Sequence, residues 1–339
     1  MMRAAVCHCS LESHRPRAGA RRVLLPLLVV SALLAAACTA SADEPFQSVS
    51  AVSGSDDGGT TDGAPPPDPN CDPDDARPSR DPGNETLPTP GNMPEGSYMR
   101  TIQDQGVLRA GVAQDTLLFG FLNPKNGEIE GFDVEIAKLV AEAIFGDGEQ
   151  IDLIPIQSAD RIPGLVAGDF DVVAKTMTIT CTRWGSIDFS GVYFESGQKV
   201  LVREGEETDI DQMPLDTVLC AASGTTSLAE IESRGFESVS VPGWTDCLVE
   251  FQQGRVDGIS TDDTILAGLA AQDPFAVISE ELLSEEPYGI GSSKDHPEFT
   301  RFINAVLAQA LENGTWEALY NEWLAETLGN PEIPELTYR

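Results

Sequence analysis

Histidine is almost absent from this chain, and basic side chains are far outnumbered by acidic ones. The 339 residues include three histidines, and 21 lysines and arginines face 55 aspartates and glutamates, for a formal net charge of −34. Nucleic-acid binding needs a basic footprint, so this charge argues against it. His8 and His14 lie in a leader-like N-terminus, which leaves His296 alone. A single histidine argues against Ser–His or Cys–His catalysis and against most zinc sites.

Long apolar runs are scarce as well, and the run near the N-terminus is too short for a comfortable transmembrane helix. This run, VLLPLLVVSALLAAAC, follows a cluster of four arginines. A cationic flank, an apolar run and small residues before a cleavage point are typical of a secretory signal. Cys38 resembles the cysteine of a bacterial lipobox, although Leu34 lies one position earlier than the usual leucine. We predict a lipoprotein signal peptide over 1–37 and lipidation of Cys38, with an ordinary cleaved signal as the alternative.

CxxC motifs are missing, because no two of the seven cysteines have that spacing. We therefore expect no metal knuckle or redox dithiol, and we expect no metal or cofactor. Cys7 and Cys9 lie in the leader. Without them and Cys38, the remaining cysteines are Cys71, Cys181, Cys220 and Cys247. An even number outside the cytoplasm indicates two disulfides.

The segment that follows the leader is rich in Ser, Asp, Gly and Pro. Such a composition cannot bury an apolar core, so we predict a disordered tether over 38–100. This tether would hold a folded body away from a membrane anchor. Cys71 is the exception, because a disulfide there would fasten the tether to that body.

From residue 101 the pattern alternates between strands and helices. A strand is predicted over 107–113 and an amphipathic helix over 131–146, and the alternation continues to two helices at the C-terminal end. This alternation indicates an α/β fold with parallel sheets.

The decapeptide KTMTITCTRW, at 175–184, ends one of the predicted strands. Its threonines alternate with Met177 and Ile179, which is the period of a strand with one polar face, and we predict a strand over 170–179. The stretch is compatible with a cysteine nucleophile, half of a metal site, a disulfide anchor or a polar clamp for a ligand. The scarcity of histidine argues against the nucleophile, and the lack of CxxC spacing argues against the metal site.

Two segments of the chain are similar to each other. GDFDVVAKT at 168–176 and GRVDGISTD at 254–262 each begin with a glycine, carry an aspartate three residues later and end in polar groups. Thr176 and Asp262 hold equivalent positions. Two such α/β lobes would bring both strand ends to a shared crevice, where open sheets bind ligands. Chance similarity over nine residues is the alternative.

These segments, with GFDVEIAKLVA, ASGTTSLAEI and ENGTWEALYNEWL, resemble the family 3 extracellular solute-binding proteins, the receptors of polar amino-acid ABC importers. The resemblance spans about 101–328 and is strongest to actinobacterial glutamine/glutamate-binding lipoproteins. It implies a two-lobed periplasmic-binding-protein fold of type II, with a ligand cleft between the lobes. Lobe 1 would comprise 101–198 plus 288–328, and lobe 2 would comprise 199–287. A C-terminal tail would cover 329–339.

The resemblance also implies a site for the carboxylate of an amino acid. Arg183 matches the family's carboxylate-binding arginine, whose planar guanidinium can make two charge-assisted bonds; a surface arginine ending a strand is the alternative. Gly224, Thr225 and Thr226 precede a helix, where backbone amides suit a carboxylate. A plain N-cap would explain them equally well. Ala222 stands where some glutamine-binding relatives have a lysine.

The ammonium of the ligand needs acceptors. Asp262 matches the family's ammonium-binding carboxylate, and we assign Asp263 to the cap of the following helix. Thr176 and Thr178 would line the opposing edge, where their hydroxyls can accept from the ammonium or donate to the carboxylate.

Four further residues are candidates for contact with the ligand side chain. Arg161 resembles an arginine of glutamate and aspartate receptors, and Lys175 adds a second cation, which favours a dicarboxylic amino acid. A surface ion pair for Arg161 and a snorkelling Lys175 are the alternatives. Phe119 or Phe121 would cover the ligand as a lid, or would serve as core aromatics.

The cysteine placement and the resemblance together imply a disulfide between Cys220 and Cys247, which leaves Cys181 to pair with Cys71. The implied function is non-catalytic capture of L-glutamate or L-aspartate, with Asn and Gln as further ligands. The expected protein is an extracytoplasmic, membrane-anchored lipoprotein and a monomer. Its partner would be an ABC permease or, alternatively, a membrane sensor protein. A dehydratase or lytic enzyme on the same fold is a further alternative.

Overall fold

Two β-sheets, each flanked by helices, organise the part of the chain that the structure describes. This computed structural model describes residues 73–83 and 86–339. The predicted signal peptide, Cys38 and Cys71 lie outside these residues. Among the helices of the described residues, none is long and apolar enough to cross a membrane.

The first part of the described chain carries most of the five-stranded sheet. Its elements are α1 (Pro73–Ala76), α2 (Tyr98–Gln105), β1 (Leu108–Val112), β2 (Asp115–Thr116), β3 (Gly120–Leu122), β4 (Ile129–Glu130), α3 (Phe132–Phe145), β5 (Ile151–Pro155), a 3₁₀ turn (Ser158–Asp160), α4 (Arg161–Ala167), β6 (Val172–Ala174), α5 (Cys181–Ser186) and β7 (Asp188–Phe189).

The second part carries the six-stranded sheet and then returns to the first. Its elements are β8 (Phe194–Arg203), β9 (Val218–Ala222), α6 (Thr226–Ser233), β10 (Glu237–Val241), α7 (Trp244–Gln252), β11 (Gly258–Asp262), α8 (Asp263–Ala270), β12 (Ala276–Ile278), β13 (Ser284–Tyr288), β14 (Gly291–Ser292), α9 (Pro297–Glu312), α10 (Thr315–Trp323) and α11 (Ala325–Leu328).

The strand orders define two lobes of mixed α/β structure, as the sequence predicts. Lobe 1 is built on the order β5-β1-β6-β14-β7, in which β1 pairs in parallel with β5 and β6. Lobe 2 is built on the order β10-β9-β11-β8-β12, with β13 also paired to β8. The short strands β2, β3 and β4 form a third, antiparallel sheet. Each lobe has its own apolar core.

A pair of antiparallel strands, β8 and β13, joins the lobes. The predicted lobe boundary after residue 198 falls inside β8, which pairs with β13 from Phe194↔Tyr288 to Gln198↔Ser284. Phe194 and Tyr288 pack in the core of lobe 1, whereas Val200 packs in the core of lobe 2. The crossovers are therefore continuous strands shared by both lobes.

The strand predicted over 170–179 is shorter than expected. Regular pairing ends with β6 at Ala174, and Thr176 has a positive φ of 38°. Thr178 keeps only an isolated bridge to Tyr288. The second half of the decapeptide is helical, since α5 begins at Cys181. Thr176 and Thr178 face the other lobe, whereas the side chain of Thr180 caps α5. The prediction of a continuous strand is wrong.

Residues 73–83 pack against lobe 1, in contrast to the disordered tether predicted there. Ser79 is fully buried, forms a bridge with Tyr338 and donates to the carbonyl of Phe189. Asn304 of α9 donates to the hydroxyl of Ser79 and to the carbonyl of Arg80, each at 2.7 Å. This segment has few apolar side chains to bury, and side-chain hydrogen bonds hold it against lobe 1 instead.

The C-terminal tail, predicted over 329–339, packs on the same face of lobe 1. Ser79 N–H donates to the carbonyl of Thr337, and Arg339 N–H donates to that of Ser79. The guanidinium of Arg339 lies 4.3 Å from the ring centroid of Trp184. The two ends of the described chain are therefore held together beside α5.

The disulfide predicted between Cys220 and Cys247 is confirmed, and it joins β9 to α7 within lobe 2. Cys181 is also disulfide-bonded. Its predicted partner, Cys71, lies outside the described residues, so that pairing stays a prediction.

We expect Asn304→Ala to lower the free energy of unfolding by about 2–3 kcal/mol, because the Gly191 N–H and the Arg80 carbonyl lose their hydrogen bonds to Asn304 and the buried Ser79 hydroxyl loses its donor. Urea denaturation followed by circular dichroism measures the change. Gln309→Ala, an exposed site on the same helix, is the matched control and should be near neutral. Equal stability of the two variants would show that the contact contributes nothing.

Candidate functional site

A polar cavity lies between the two lobes. From lobe 1 it is lined by Ser158, Arg161, Thr176, Thr178 and Arg183. From lobe 2 it is lined by Thr225, Thr226, Ser227, Trp244, Asp262 and Ile265. Its volume of about 10 Å³ is about the room that one water molecule occupies. A larger ligand can therefore enter only if the lobes move apart.

Arg183 is buried at this cavity on α5, a helix capped by the side chain of Thr180. Its guanidinium donates to the carbonyl of Thr178 at 2.6 Å and to that of Gly224, across the cleft, at 3.4 Å. Burial lowers the pKa of Arg183, and the carboxylates of Glu286 and Asp262 oppose that shift. The sequence prediction of a cleft arginine agrees with this placement, and the alternative of a surface arginine ending a strand does not.

Arg161 lies beside Arg183 at the start of α4. Its guanidinium donates to the carbonyls of Ser158, Lys175 and Thr176 in lobe 1. It also donates to Gly224 of lobe 2 at 3.1 Å. Burial, and then repulsion from Arg183, lower the pKa of Arg161 to about 9. The surface ion pair considered as an alternative is not formed.

The turn before α6 brings lobe 2 into contact with lobe 1. Gly224 has a φ of 71°, and a Cβ built on it would lie 2.6 Å from Cα of Ala159. Thr225 is the N-cap of α6, because its hydroxyl accepts from Leu228 N–H at 3.1 Å. Thr225 is thus an N-cap, and Thr225 and Thr226 also line the cavity, whereas Gly224 is not among the lining residues. Contact of this turn with a ligand stays a prediction.

Asp262 ends β11 with its side chain buried at the cavity. It accepts a hydrogen bond from the hydroxyl of Tyr288. Burial, followed by repulsion from Glu286, raises the pKa of Asp262 well above its ordinary value. A cationic group in the cavity would relieve this cost.

The assignment of Asp263 as the helix cap is wrong. The N-cap position of α8 is Asp262, whose side chain makes no capping bond, and Asp263 is the first helical residue. The carboxylate of Asp263 instead accepts from Ser196 at 2.9 Å. Sequence reasoning placed the cap one residue too late.

Thr176 is held by a buried carboxylate behind the cavity. Asp133 accepts from Thr176 N–H and from the hydroxyl of Tyr193, each at 2.6 Å. Burial raises the pKa of Asp133 to about 6, against these bonds and the nearby Lys175. These contacts fix the strained backbone at Thr176.

Lys175 does not belong to the cavity lining. It is buried, and its Nζ lies 3.9 Å from Oδ1 of Asp115. Burial lowers the pKa of Lys175 to about 8, and Asp115 opposes that shift. The other oxygen of Asp115 accepts from Trp244 N–H in lobe 2 at 3.0 Å. Lys175 is thus next to an interlobe contact, neither snorkelling nor in the cavity wall.

Neither predicted lid phenylalanine lines the cavity. Phe119 is fully buried in the core of lobe 1, with edge-on contacts to Phe132, Phe194 and Tyr288. Phe121 packs edge-on against Trp323. The core alternative is the correct one for Phe119, and Trp244 provides the aromatic wall of the cavity.

Sequence reasoning missed Glu286, a buried carboxylate on β13. Its Oε2 accepts from the hydroxyl of Thr178 at 2.6 Å and from that of Thr226 at 2.8 Å. The run SEEPY contained a signal, because adjacent glutamates of a strand point to opposite faces, and in a strand with one buried face one of the two is buried.

The arrangement of two buried arginines opposite a buried aspartate, between two α/β lobes, can be compared with known proteins. Residues 108–326 match the model of the bacterial extracellular solute-binding proteins, family 3. The chain belongs to this family. It is therefore a solute-binding protein and not an enzyme.

This solute-binding protein is similar to amino-acid-binding proteins of other bacteria. It is 34% identical to the ABC transporter glutamine-binding protein GlnH of Bacillus subtilis, over 67% of this chain and 85% of the relative. It is 30% identical to the glutamate-binding protein GluB of Corynebacterium glutamicum, over 71% of this chain and 86% of the relative. Among solved structures, holo ArgBP from T. maritima superposes with a TM-score of 0.58 at 30% identity, covering 66% of this chain and 98% of that one.

We expect Gly224→Ala to hold the lobes of this solute-binding protein apart, because the added Cβ would meet the backbone of Ala159. Small-angle X-ray scattering should show a larger radius of gyration. Gly235→Ala is the matched control, since Gly235 also has a positive φ but nothing lies within 4 Å of its Cβ position. Both variants carry a backbone cost of about 1–2 kcal/mol. An unchanged radius of gyration for Gly224→Ala would contradict the close contact between Gly224 and Ala159 across the cleft.

Proposed function

We propose that this protein captures a polar amino acid outside the cytoplasm, L-glutamate or L-aspartate before L-asparagine or L-glutamine, and presents it to an ABC importer. The observation that carries the proposal is the pair Arg183 and Asp262 on opposite walls of one cavity. A guanidinium fork suits the α-carboxylate, and a buried carboxylate suits the α-ammonium. Only a zwitterion satisfies both.

The selectivity for a second acidic group is assigned to Arg161. It is the remaining cation of the cavity lining, and burial penalises its charge unless an anion is near. Lys175 contributes less than the sequence suggested, because it lies beside Asp115. The names of the relatives support this ligand class, since they include a glutamine-binding protein and a glutamate-binding protein.

Capture is proposed to proceed by lobe closure. The ligand enters when the lobes separate, and the contacts of Arg161 and Arg183 with Gly224 form again on closure. The importer then recognises the closed monomer. The leader sequence supports anchoring at the cell membrane through a lipidated Cys38, with the residues between Cys38 and the folded lobes as spacer.

We expect the protein to bind one L-glutamate or L-aspartate per chain in isothermal titration calorimetry, and Arg183→Ala to abolish this binding. Loss of the fork removes charge-assisted bonds worth about 3 kcal/mol or more, which is over a hundredfold in affinity. Arg100→Ala, an arginine paired with Asp104 on α2, is the control and should bind normally. Undiminished affinity in Arg183→Ala would refute the clamp. A wild-type protein that shows no binding of Glu, Asp, Asn or Gln would refute the proposed function.

We expect Arg161→Lys to weaken binding of the acids more than of the amides, by about tenfold in the ratio of dissociation constants, because a lysine keeps the charge but loses the guanidinium fork. Competition calorimetry with L-glutamate and L-glutamine gives that ratio directly. A general disturbance of the site weakens both ligands equally. An unchanged ratio would show that Arg161 does not select the side chain.

A further inference from the structure

Strand β13 presents alternate side chains to the cleft. Ser284, Glu286 and Tyr288 share one face, because successive side chains of a strand point to opposite faces. On this face Tyr288 donates to Asp262, and Glu286 accepts from two threonines that line the cavity. Glu285, on the other face, is exposed and pairs with Arg77. Strand β13, which with β8 joins the lobes, therefore contacts Asp262, Thr178 and Thr226 on the side away from the cavity.

Glu286 contacts both walls of the cleft through one oxygen. Its Oε2 lies 2.6 Å from Oγ1 of Thr178, in lobe 1, and 2.8 Å from Oγ1 of Thr226, in lobe 2. Its Oε1 accepts from the hydroxyl of Ser284 at 2.7 Å. Glu286 is itself 2% exposed, so these hydroxyls replace much of its hydration.

These bonds fix the polarity of the two threonine hydroxyls. A threonine hydroxyl has one proton to donate, whereas an ionised carboxylate can only accept. Both protons are therefore directed at Glu286, away from the cavity. What Thr178 and Thr226 present to a ligand is lone pairs. The sequence left open whether Thr178 accepts or donates, and Glu286 decides in favour of accepting.

We propose that Glu286 is a positioning residue that makes Thr178 and Thr226 acceptors for the ligand ammonium, and so selects amino acids over their deaminated carboxylate analogues. Asp262 alone leaves an ammonium with unused donors, and the two hydroxyl oxygens complete its hydrogen bonds. A carboxylate at the same place meets lone pairs from both threonines and the negative charge of Glu286. This assignment rests on the proposed capture of an amino acid.

The test compares each amino acid with the analogue that lacks the ammonium, by isothermal titration calorimetry on the wild-type chain and on Glu286→Gln. The pairs are L-glutamate with glutarate and L-glutamine with glutaramate. The wild type is expected to prefer the amino acid. In Glu286→Gln that preference should shrink by about tenfold or more, because the charge is lost and the hydroxyls regain freedom to donate.

Glu285→Gln is the matched control, because it removes the same charge one residue away on the opposite face, and it should keep the wild-type preference. If Glu286→Gln weakens the amino acid and its analogue by the same factor, or leaves the preference unchanged, Glu286 has only a structural role and the inference is overturned. A wild-type protein that binds none of the amino acids overturns the proposed function itself, which is a different result.

If Glu286→Gln does not fold, a second pair of variants tests whether the threonine hydroxyls act as acceptors for the ammonium. Thr226→Val removes one hydroxyl and leaves β13 intact, so the preference for the amino acid should shrink. Thr226→Ser keeps the hydroxyl and should preserve the preference. Equal preferences in the two variants would overturn the inference.

Discussion

Two guanidinium groups are buried together between the lobes, and much of the site compensates for that burial. Arg161 and Arg183 are 3% and 7% exposed. A buried charge costs free energy unless hydrogen bonds and opposite charges surround it. Backbone carbonyls of both lobes supply the hydrogen bonds, and Asp262 and Glu286 supply the opposite charge. The carbonyl of Gly224, in lobe 2, accepts hydrogen bonds from both arginines. Both arginines therefore have all of these hydrogen bonds only when the lobes are closed.

A second set of charges, the buried Lys175 and Asp133 with the partly exposed Asp115, lies just behind the first. Asp133 holds the backbone at Thr176, and Asp115 connects Lys175 to the N-terminal end of α7. Movement of lobe 2 therefore breaks contacts to Asp115 and to the two arginines at once. The electrostatics of the cleft and the opening of the lobes are coupled for this reason.

Much of the fold was predictable because the α/β alternation and hydrophobic periodicity are local signals. They located α3 and β1 and predicted the alternation of strands and helices that continues through lobe 2. The predictions failed where tertiary contacts decide the local structure. The segment after Ala174 is irregular because Asp133 and the strand β13 hold it, and Phe119 packs in the core because its partners come from distant parts of the chain. Residues 73–83 look like a linker in composition, yet a single buried asparagine on α9 fastens them.

The site was predictable to the extent that its side chains follow recognisable motifs. Arg161, Arg183 and Asp262 line the cavity as expected, as do Thr176, Thr178, Thr225 and Thr226. Glu286 was missed because its role depends on which face of β13 points inward, and the pairing with β8 sets that. Lys175 was misjudged for a similar reason, since its partner Asp115 lies 60 residues earlier in the chain.

The bridge between Ser79 and Tyr338 gives the two lobes different mechanical roles. Both ends of the described chain are fastened to lobe 1, and Arg77 reaches the hinge strands at Glu195 and Glu285. Within residues 73–83 and 86–339, the N-terminal and C-terminal segments thus contact lobe 1 and the strands that join the lobes. Opening of the cleft would therefore move lobe 2 relative to a lobe 1 that holds both ends of the described chain.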